Sequence, residues 1–164
     1  GAAAASARLR IRHLLLAGGQ TLRLTGTVTV PGTPAVDPAA NGLRVQVRNA
    51  AGTSLLDVTL PKGADWTYAP ATTAWTFARP GGFAGVTRAV VTALAGSPNT
   101  YRVKVLAGPL ALPVSKATLP LSATVVLDVP HANGGQCGDV RFPGPAPAPT
   151  CRIRHAGSRL ICGG

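Results

Sequence analysis

The chain has 164 residues, of which 46% are hydrophobic and only 4% aromatic, so aliphatic side chains must supply most of its core. Sixteen Lys and Arg residues stand against five Asp and no Glu, which gives a formal net charge of +11. No run of five or more basic residues occurs and no apolar stretch reaches the ~18–20 residues that span a bilayer, which disfavours a nucleic-acid-binding arm and a membrane span. The length fits one domain with a sizeable core.

The first predicted strand covers residues 8–16 and follows the alanine-rich start GAAAASA. Arginine alternates with an apolar residue at first, and this two-residue period is typical of a half-buried strand. Three leucines follow. We predict that its apolar side is buried, either in the chain's own sheet or in that of a neighbouring copy. The start is typical of what remains after removal of a secretory signal. The candidates for an intersubunit strand are Leu9, Ile11, Leu14, Leu15 and Leu16.

The tetrapeptide Arg-Ile-Arg-His occurs in this segment and again near the end, within CRIRHAGSRL at residues 151–160. In both places the arginines alternate with an apolar residue, which predicts the outer faces of two strands. Outward arginines on a strand also discourage uncontrolled edge pairing. The large positive charge is expected to draw polyanions in a salt-dependent way.

Later segments predict further strands. Residues 21–30 alternate, residues 43–50 and 55–61 predict one hairpin, residues 86–94 and 101–108 a second, and residues 119–129 one more strand. The predicted fold class is all-β, a single immunoglobulin-like or Greek-key β-sandwich with a small Cys-stapled hairpin, and the alternative is a β-barrel. The predicted divisions are an N-terminal extension over 1–17, the sandwich over 18–130 and a Pro-rich, disulfide-stapled appendix over 131–164.

Two tryptophans come close together in DWTYAPATTAWTF. Core packing is the predicted use of Trp66 and Trp75, because large aromatic rings are mostly buried. The alternative is that both are stacking residues on a sugar-binding surface.

The three cysteines, Cys137, Cys151 and Cys162, predict one disulfide that staples the C-terminal segment. A Cys137–Cys151 bridge is slightly favoured over Cys151–Cys162, whereas the predicted hairpin CRIR-HAGS-RLIC supports the second pairing. Both pairings stay open at this stage. The remaining cysteine is either a buried free thiol or a link between chains.

No motif for catalysis is found. His13, His131 and His155 are far apart in sequence, the Asp residues lie mostly in turns or at strand ends, and no phosphate loop or nucleophile elbow occurs. The spacing of Cys and His does not match a zinc set, and DPAANG is too poor in carboxylates for calcium. We therefore expect a non-enzyme without metal or cofactor. Few aromatics sit beside arginine, so nucleic acid is not the expected partner.

One resemblance adds to this interpretation. The pattern W-x-Y…W-x-F at Trp66, Tyr68, Trp75 and Phe77, with QCG…F…C…L-x-C beginning at Gln136, resembles secreted, β-rich, functionally uncharacterised proteins of high-GC proteobacteria. The resemblance covers about residues 55–162. It implies export and a β-sandwich, and no activity.

The resulting hypothesis is a secreted, non-enzymatic structural subunit. It would self-assemble into an extracellular fibre or surface layer, with residues 8–16 donated between copies. The alternative is a secreted adhesion or carbohydrate-binding module whose basic face binds anionic polysaccharide. A viral coat or decoration protein is the third hypothesis.

Overall fold

The computed structural model describes residues 2–142 and 150–163. Within them the chain is predominantly β-strand, and the strands form two sheets. The strands are β1 (Ala2–Ala3), β2 (Ala5–Arg12), β3 (Gln20–Thr29), β4 (Leu43–Arg48), β5 (Ser54–Leu60), β6 (Trp66–Ala69), β7 (Ala74–Phe83), β8 (Val86–Ala93), β9 (Thr100–Leu110), β10 (Leu121–Val126), β11 (Cys137–Phe142), β12 (Cys151–Arg154) and β13 (Arg159–Cys162).

Helical segments in the described residues are short. The helix α1 spans Pro38–Asn41, and 3₁₀ turns lie at Pro70–Thr72, Lys116–Thr118 and Val129–Gly134. Asp37 caps α1 by accepting hydrogen bonds from two backbone N–H groups of the first turn, which is the ordinary use of Asp before a helix. None of these helices is long and apolar enough to cross a membrane.

The two sheets have the strand orders β1-β11-β10-β4-β5 and β12-β13-β2-β3-β9-β8-β7-β6. The prediction of an all-β sandwich is confirmed, and the described strands do not close into the barrel that was the alternative. The predicted hairpins are confirmed as β4–β5, β8–β9 and β12–β13. Each joins consecutive strands, so local alternation and turn residues were sufficient to indicate it.

Aliphatic side chains from both sheets form one core. The largest fully buried rings are those of Phe77 on β7 and Phe142 on β11. The sheets approach closely at Gly138 of β11, where an added Cβ would overlap the side chain of Val28 on β3. Glycine at this position therefore lets the five-stranded sheet lie against the eight-stranded one.

Both end segments take part in the sandwich. From the N-terminal segment, β1 pairs in parallel with β11, and β2 lies between β13 and β3. From the C-terminal segment, β11 pairs with β10, and the β12–β13 hairpin extends the eight-stranded sheet. Pairing of distant strands therefore places residues from all three predicted divisions, the extension, the sandwich and the appendix, in the same two sheets.

The intersubunit candidates divide into two groups. Leu9 and Ile11 are fully buried in the chain's own sheet, and Leu14 is half-buried. Leu15 and Leu16 are 77% and 60% exposed in the turn that follows β2. Burial within the chain's own sheet therefore does not extend to these two, because the ladder between β2 and β3 ends before them.

The disulfide joins Cys151 and Cys162, whose Cα atoms are 4.0 Å apart, and Cys137 is a free, half-buried thiol. The slightly favoured Cys137–Cys151 pairing is wrong. Its partners belong to different sheets, whereas Cys151 and Cys162 lie directly opposite each other in the β12–β13 hairpin. Part of the Pro-rich stretch before this hairpin, residues 143–149, lies outside the described residues.

Candidate functional site

The structure brings the two copies of Arg-Ile-Arg-His to one region of the eight-stranded sheet. They lie in β2 and β12, on either side of β13, and run in the same direction because β13 is antiparallel to both. Ile11 and Ile153 both lie opposite Leu160, so the two copies share one register. Each copy ends in a histidine with positive φ, 59° at His13 and 55° at His155, where the strand enters its turn.

The arginines nearest these turns form a row across three adjacent strands. Arg159 of β13 is the register partner of Arg12 on one side and of Arg154 on the other. Neighbouring strands are ~4.8 Å apart, so three guanidinium-bearing side chains leave the sheet side by side. One nitrogen of Arg159 also lies 3.3 Å from Nε2 of His155.

A second row lies two residues further along the strands, which is ~7 Å away. In it Arg10 is opposite Arg23 of β3 on one side and Ile161 of β13 on the other. Ile161 is in turn opposite Arg152 of β12. Like charges placed directly opposite each other destabilise a sheet, so this arrangement is unfavourable for the isolated fold.

Further cations occupy the same outer surface along β2, β8 and β9. Because side chains alternate between the two faces of a strand, the buried residues on these strands identify the outward ones. We call the resulting set the arginine face. Its ten members are Arg8, Arg10, Arg12, Arg23, Arg88, Arg102, Lys104, Arg152, Arg154 and Arg159.

No acidic side chain neutralises the arginine face. Within residues 2–142 and 150–163, no salt bridge to any of its members is found, and the chain contains no Glu. The five Asp residues lie elsewhere. Asp37 caps α1, Asp57 and Asp139 lie on the five-stranded sheet, Asp65 precedes the far edge strand β6, and Asp128 follows β10.

Two surface depressions accompany the two copies of the repeat. One, of about 330 Å³, is lined by Arg10 and Arg12 of the first copy together with Arg23 and Thr21 of β3. The other, of about 320 Å³, is lined by arginines of the second copy and by Ile161. Each copy thus contributes two guanidinium groups to one depression, and the arrangement can hold anionic groups by paired, charge-assisted hydrogen bonds.

The opposite outer face of the sandwich carries acidic side chains beside its arginines. There Arg44 donates two hydrogen bonds to Asp57, at 2.9 and 2.8 Å, and Gln46 donates a third. The hydrogen bond from Arg44 lowers the pKa of the Asp57 carboxyl below its usual value. Ten of the sixteen Lys and Arg residues thus lie on the arginine face, whereas all five Asp residues lie elsewhere.

The two tryptophans differ in how far they are buried. Trp66 is 6% exposed, packs edge-on against Phe77 at 5.4 Å between ring centroids, and donates its indole N–H to Pro61 O. The stacking role proposed for Trp66 is wrong for this reason. Trp75 is half-buried against the core, and its ring lies 4.8 Å from that of Tyr68.

A second polar cluster lies apart from the arginine face. The carboxylate of Asp128 is fully buried and lies 2.9 Å from Nδ1 of His131, and it accepts a hydrogen bond from the Asn41 side chain at 3.0 Å. These contacts tie the loop after β10 to the end of α1. No group of three or more His, Cys or Asp residues that could hold a metal ion is found in the described part of the chain.

Sequence reasoning included a basic face only in its alternative hypothesis and did not identify the residues that form the arginine face. The signal in the sequence was the outward alternation of arginine on several segments. Alternation within a segment does not show the order of the strands in the sheet. That order places segments from both ends of the chain side by side.

The fold and the site together define an all-β sandwich with one polycationic sheet face. No family model, no curated protein and no solved structure matches the chain. The resemblance to secreted proteobacterial β-proteins therefore stays a prediction.

Proposed function

We propose that this protein is a non-enzymatic binding module that holds a polyanion against its arginine face. The observation that carries the proposal is the direct opposition of arginines on neighbouring strands, Arg12 and Arg154 with Arg159 and Arg10 with Arg23, with no acid beside them. Such pairs do not stabilise the fold by themselves, because the two arginines of each pair repel each other. A bound anion converts the repulsion into attraction at every pair.

The residue type supports the same conclusion. Guanidinium is planar, stays charged at any physiological pH and binds sulfate, carboxylate or phosphate through two parallel hydrogen bonds. Nine of the ten members of the arginine face are Arg, and one is Lys. Side chains are ~5 Å apart within a row and the rows are ~7 Å apart, and this spacing suits a polymer or surface with closely repeated anionic groups.

The proposal includes export from the cell. The Cys151–Cys162 disulfide supports it, because disulfides persist mainly in oxidising compartments.

The test compares two variants with equal changes in net charge. The face variant carries Arg10→Gln, Arg12→Gln and Arg23→Gln, and the charge control carries Arg48→Gln, Arg141→Gln and Lys116→Gln, away from the arginine face. Heparin is the probe, with retention and affinity measured from low to high salt. We expect intact protein and charge control to bind heparin with a steep salt dependence, roughly tens- to hundredfold between 50 and 200 mM salt.

The face variant should elute at much lower salt than the charge control. Equal loss in the two variants would mean that diffuse net charge, and not the face, is responsible. Thermal unfolding of each variant without ligand serves as the folding control. Removing the opposed arginines should raise the melting temperature slightly, because a repulsion is lost.

The second candidate is the self-assembling subunit of a fibre, surface layer or viral coat. Its support is the position of β2, an end strand inserted between β3 and β13, because exchange of that strand between copies would keep every contact it makes. The short edge strand β12, with outward arginines, is poorly suited to direct edge pairing, so exchange of β2 is the route that this candidate needs.

Native mass measurement and negative-stain microscopy over a wide range of protein concentration test the second candidate. Two isotopically distinct preparations are mixed after partial unfolding and refolding. Strand exchange predicts mixed dimers or longer species. A monomer at every concentration would reject it and leave the binding module unaffected.

A further inference from the structure

Two leucines stand out among the exposed side chains. In the part of the chain that the structure describes, only Leu15, Leu16 and Tyr68 are large hydrophobic residues with exposed side chains. Leu15 and Leu16 are neighbours, and they project from the turn between β2 and β3. We call this turn, residues 13–19, the leucine tip.

The backbone of the leucine tip is held in place. Leu14 donates its N–H to Ser158 O at 3.0 Å, in the turn between β12 and β13. Its carbonyl accepts a hydrogen bond at 3.1 Å from the side chain of Gln20, which is 5% exposed and also accepts from Leu112 N. The half-buried Leu14 side chain packs against the core.

The tip also closes on itself. Leu16 donates its N–H to His13 O at 2.9 Å, and Gly19 donates to Leu16 O at 3.0 Å. These bonds fix the path of the chain through the turn. The exposure of Leu15 and Leu16 is therefore a property of an anchored turn rather than of a loose end.

Arginines lie directly beside this tip. Arg12 is the last residue of β2, and with its register partner Arg159 and with Arg154 it forms the row nearest the turns. The turn between β12 and β13 lies at the same end of the sheet, because the leucine tip is bonded to it. One end of the sandwich thus presents two apolar side chains followed by a row of cations.

We infer that the polyanion is the headgroup layer of an anionic phospholipid bilayer, which the leucine tip enters end-on. The inference rests on the proposed function and names its partner. An apolar side chain is favourable at the boundary between headgroups and acyl chains, and cations just above it attract anionic lipid. A soluble polyanionic polymer would satisfy the arginines but has no apolar layer for the leucines.

The dimensions fit this orientation. The headgroup layer on each side of a bilayer is ~5–7 Å thick, from the difference between the core and the full thickness. With Leu15 and Leu16 at the acyl boundary, the row of Arg12, Arg154 and Arg159 lies at headgroup level. The row that contains Arg10 lies ~7 Å further out, within a Debye length of the surface at physiological salt.

The experiment measures partitioning of the full chain onto vesicles. Mixed vesicles of phosphatidylcholine and phosphatidylserine are compared with vesicles of phosphatidylcholine alone, by co-sedimentation. The tip variant is Leu15→Ser with Leu16→Ser, and the matched control is Tyr68→Ser, which also changes an exposed apolar side chain. The face variant and the charge control are measured beside them, and each protein is also run on heparin.

We expect binding to the mixed vesicles and much weaker binding to phosphatidylcholine alone. The tip variant should partition at least about tenfold less than intact protein, because two aliphatic side chains no longer enter the lipid. Its retention on heparin should be unchanged, and the Tyr68→Ser control should bind vesicles like the intact protein. The face variant should lose both vesicle and heparin binding.

Each other outcome overturns a defined part of the reasoning. If the tip variant binds vesicles as well as intact protein does, or if intact protein binds heparin and not vesicles, the lipid inference is wrong and the polyanion-binding module stands. If the face variant and the charge control behave alike on both probes, the proposed function fails and the lipid inference fails with it. Unchanged thermal unfolding of the tip variant excludes misfolding as a cause.

Discussion

The two copies of Arg-Ile-Arg-His allow a direct test of how the position of an isoleucine in the sheet determines its contribution to the free energy of unfolding. Ile11 and Ile153 occupy the same place in the repeat and both lie opposite Leu160. Ile11 is fully buried and has Leu22 of β3 on its other side. Ile153 is half-buried and belongs to the edge strand β12. We predict that Ile11→Ala destabilises the protein far more than Ile153→Ala.

The magnitude follows from burial. Truncating a fully buried isoleucine to alanine costs about 2–5 kcal/mol, because the transfer free energy of the removed methyl and methylene groups is lost and a cavity is left. Ile11 is enclosed on both sides by strands, so the surroundings cannot collapse easily, and the upper half of this range is expected. At Ile153 part of the side chain is already in water and the edge strand can shift, so about 1–2 kcal/mol is expected.

The assay is urea unfolding followed by tryptophan fluorescence, with the disulfide kept oxidised. The urea concentration at the midpoint of unfolding should fall, while the dependence of the unfolding free energy on urea concentration stays the same, since the surface exposed on unfolding does not change. In thermal unfolding each kcal/mol corresponds to ~2–4 °C for a chain of this size. Equal losses at the two positions, or a larger loss at Ile153, would show that β2 is not an interior strand of this sheet in solution.

Two further predictions concern packing and titration. Gly138→Ala should destabilise by about 1–3 kcal/mol, because the new methyl group overlaps Val28 across the sandwich, and a neutral effect in urea unfolding would contradict the close approach of the sheets. Burial raises the pKa of the Tyr101 phenol, although a hydrogen bond from the Val36 backbone opposes this. In a Tyr68→Phe variant Tyr101 is the one remaining tyrosine, and its phenolate absorbance should therefore appear at higher pH in the folded protein than in the protein unfolded in urea. The unfolded phenol loses its proton at lower pH than the folded one. The contribution of Tyr101 to stability is therefore present below its unfolded pKa and is lost as the pH rises through its folded pKa. Identical titration curves for the folded and unfolded protein would contradict a raised pKa of Tyr101.

Much of the secondary structure followed from local sequence. The alternation in LRVQVR and YRVKVL predicted β4 and β9, and the glycine and proline between neighbouring strands predicted their hairpins. Period-two patterning is a local property, because successive side chains of a strand point to opposite faces whatever the strand pairs with. The core role of Trp66 could likewise be predicted from the general tendency of large rings to be buried.

The disulfide pairing and the site depended on tertiary structure. The sequence left two pairings open, with Cys137–Cys151 slightly favoured and Cys151–Cys162 supported by the predicted hairpin, and the strand register shows that Cys151 lies opposite Cys162. The exposure of Leu15 and Leu16 in the single chain depends on tertiary structure for a related reason. An apolar run predicts burial, but where the ladder ends decides whether a residue lies in the sheet or in a turn.

The sequence by itself determined that this protein is all-β, strongly basic and stapled near its end, since composition, charge and strand period are carried by short stretches of chain. Only the tertiary structure decided that the first strand and the last hairpin are neighbours, which turns two distant copies of Arg-Ile-Arg-His into one surface of unneutralised arginines. The physical reason is that the order of strands in a sheet depends on pairing between residues far apart in sequence. Alternation shows which side chains face outward, and strand order shows which of them stand together.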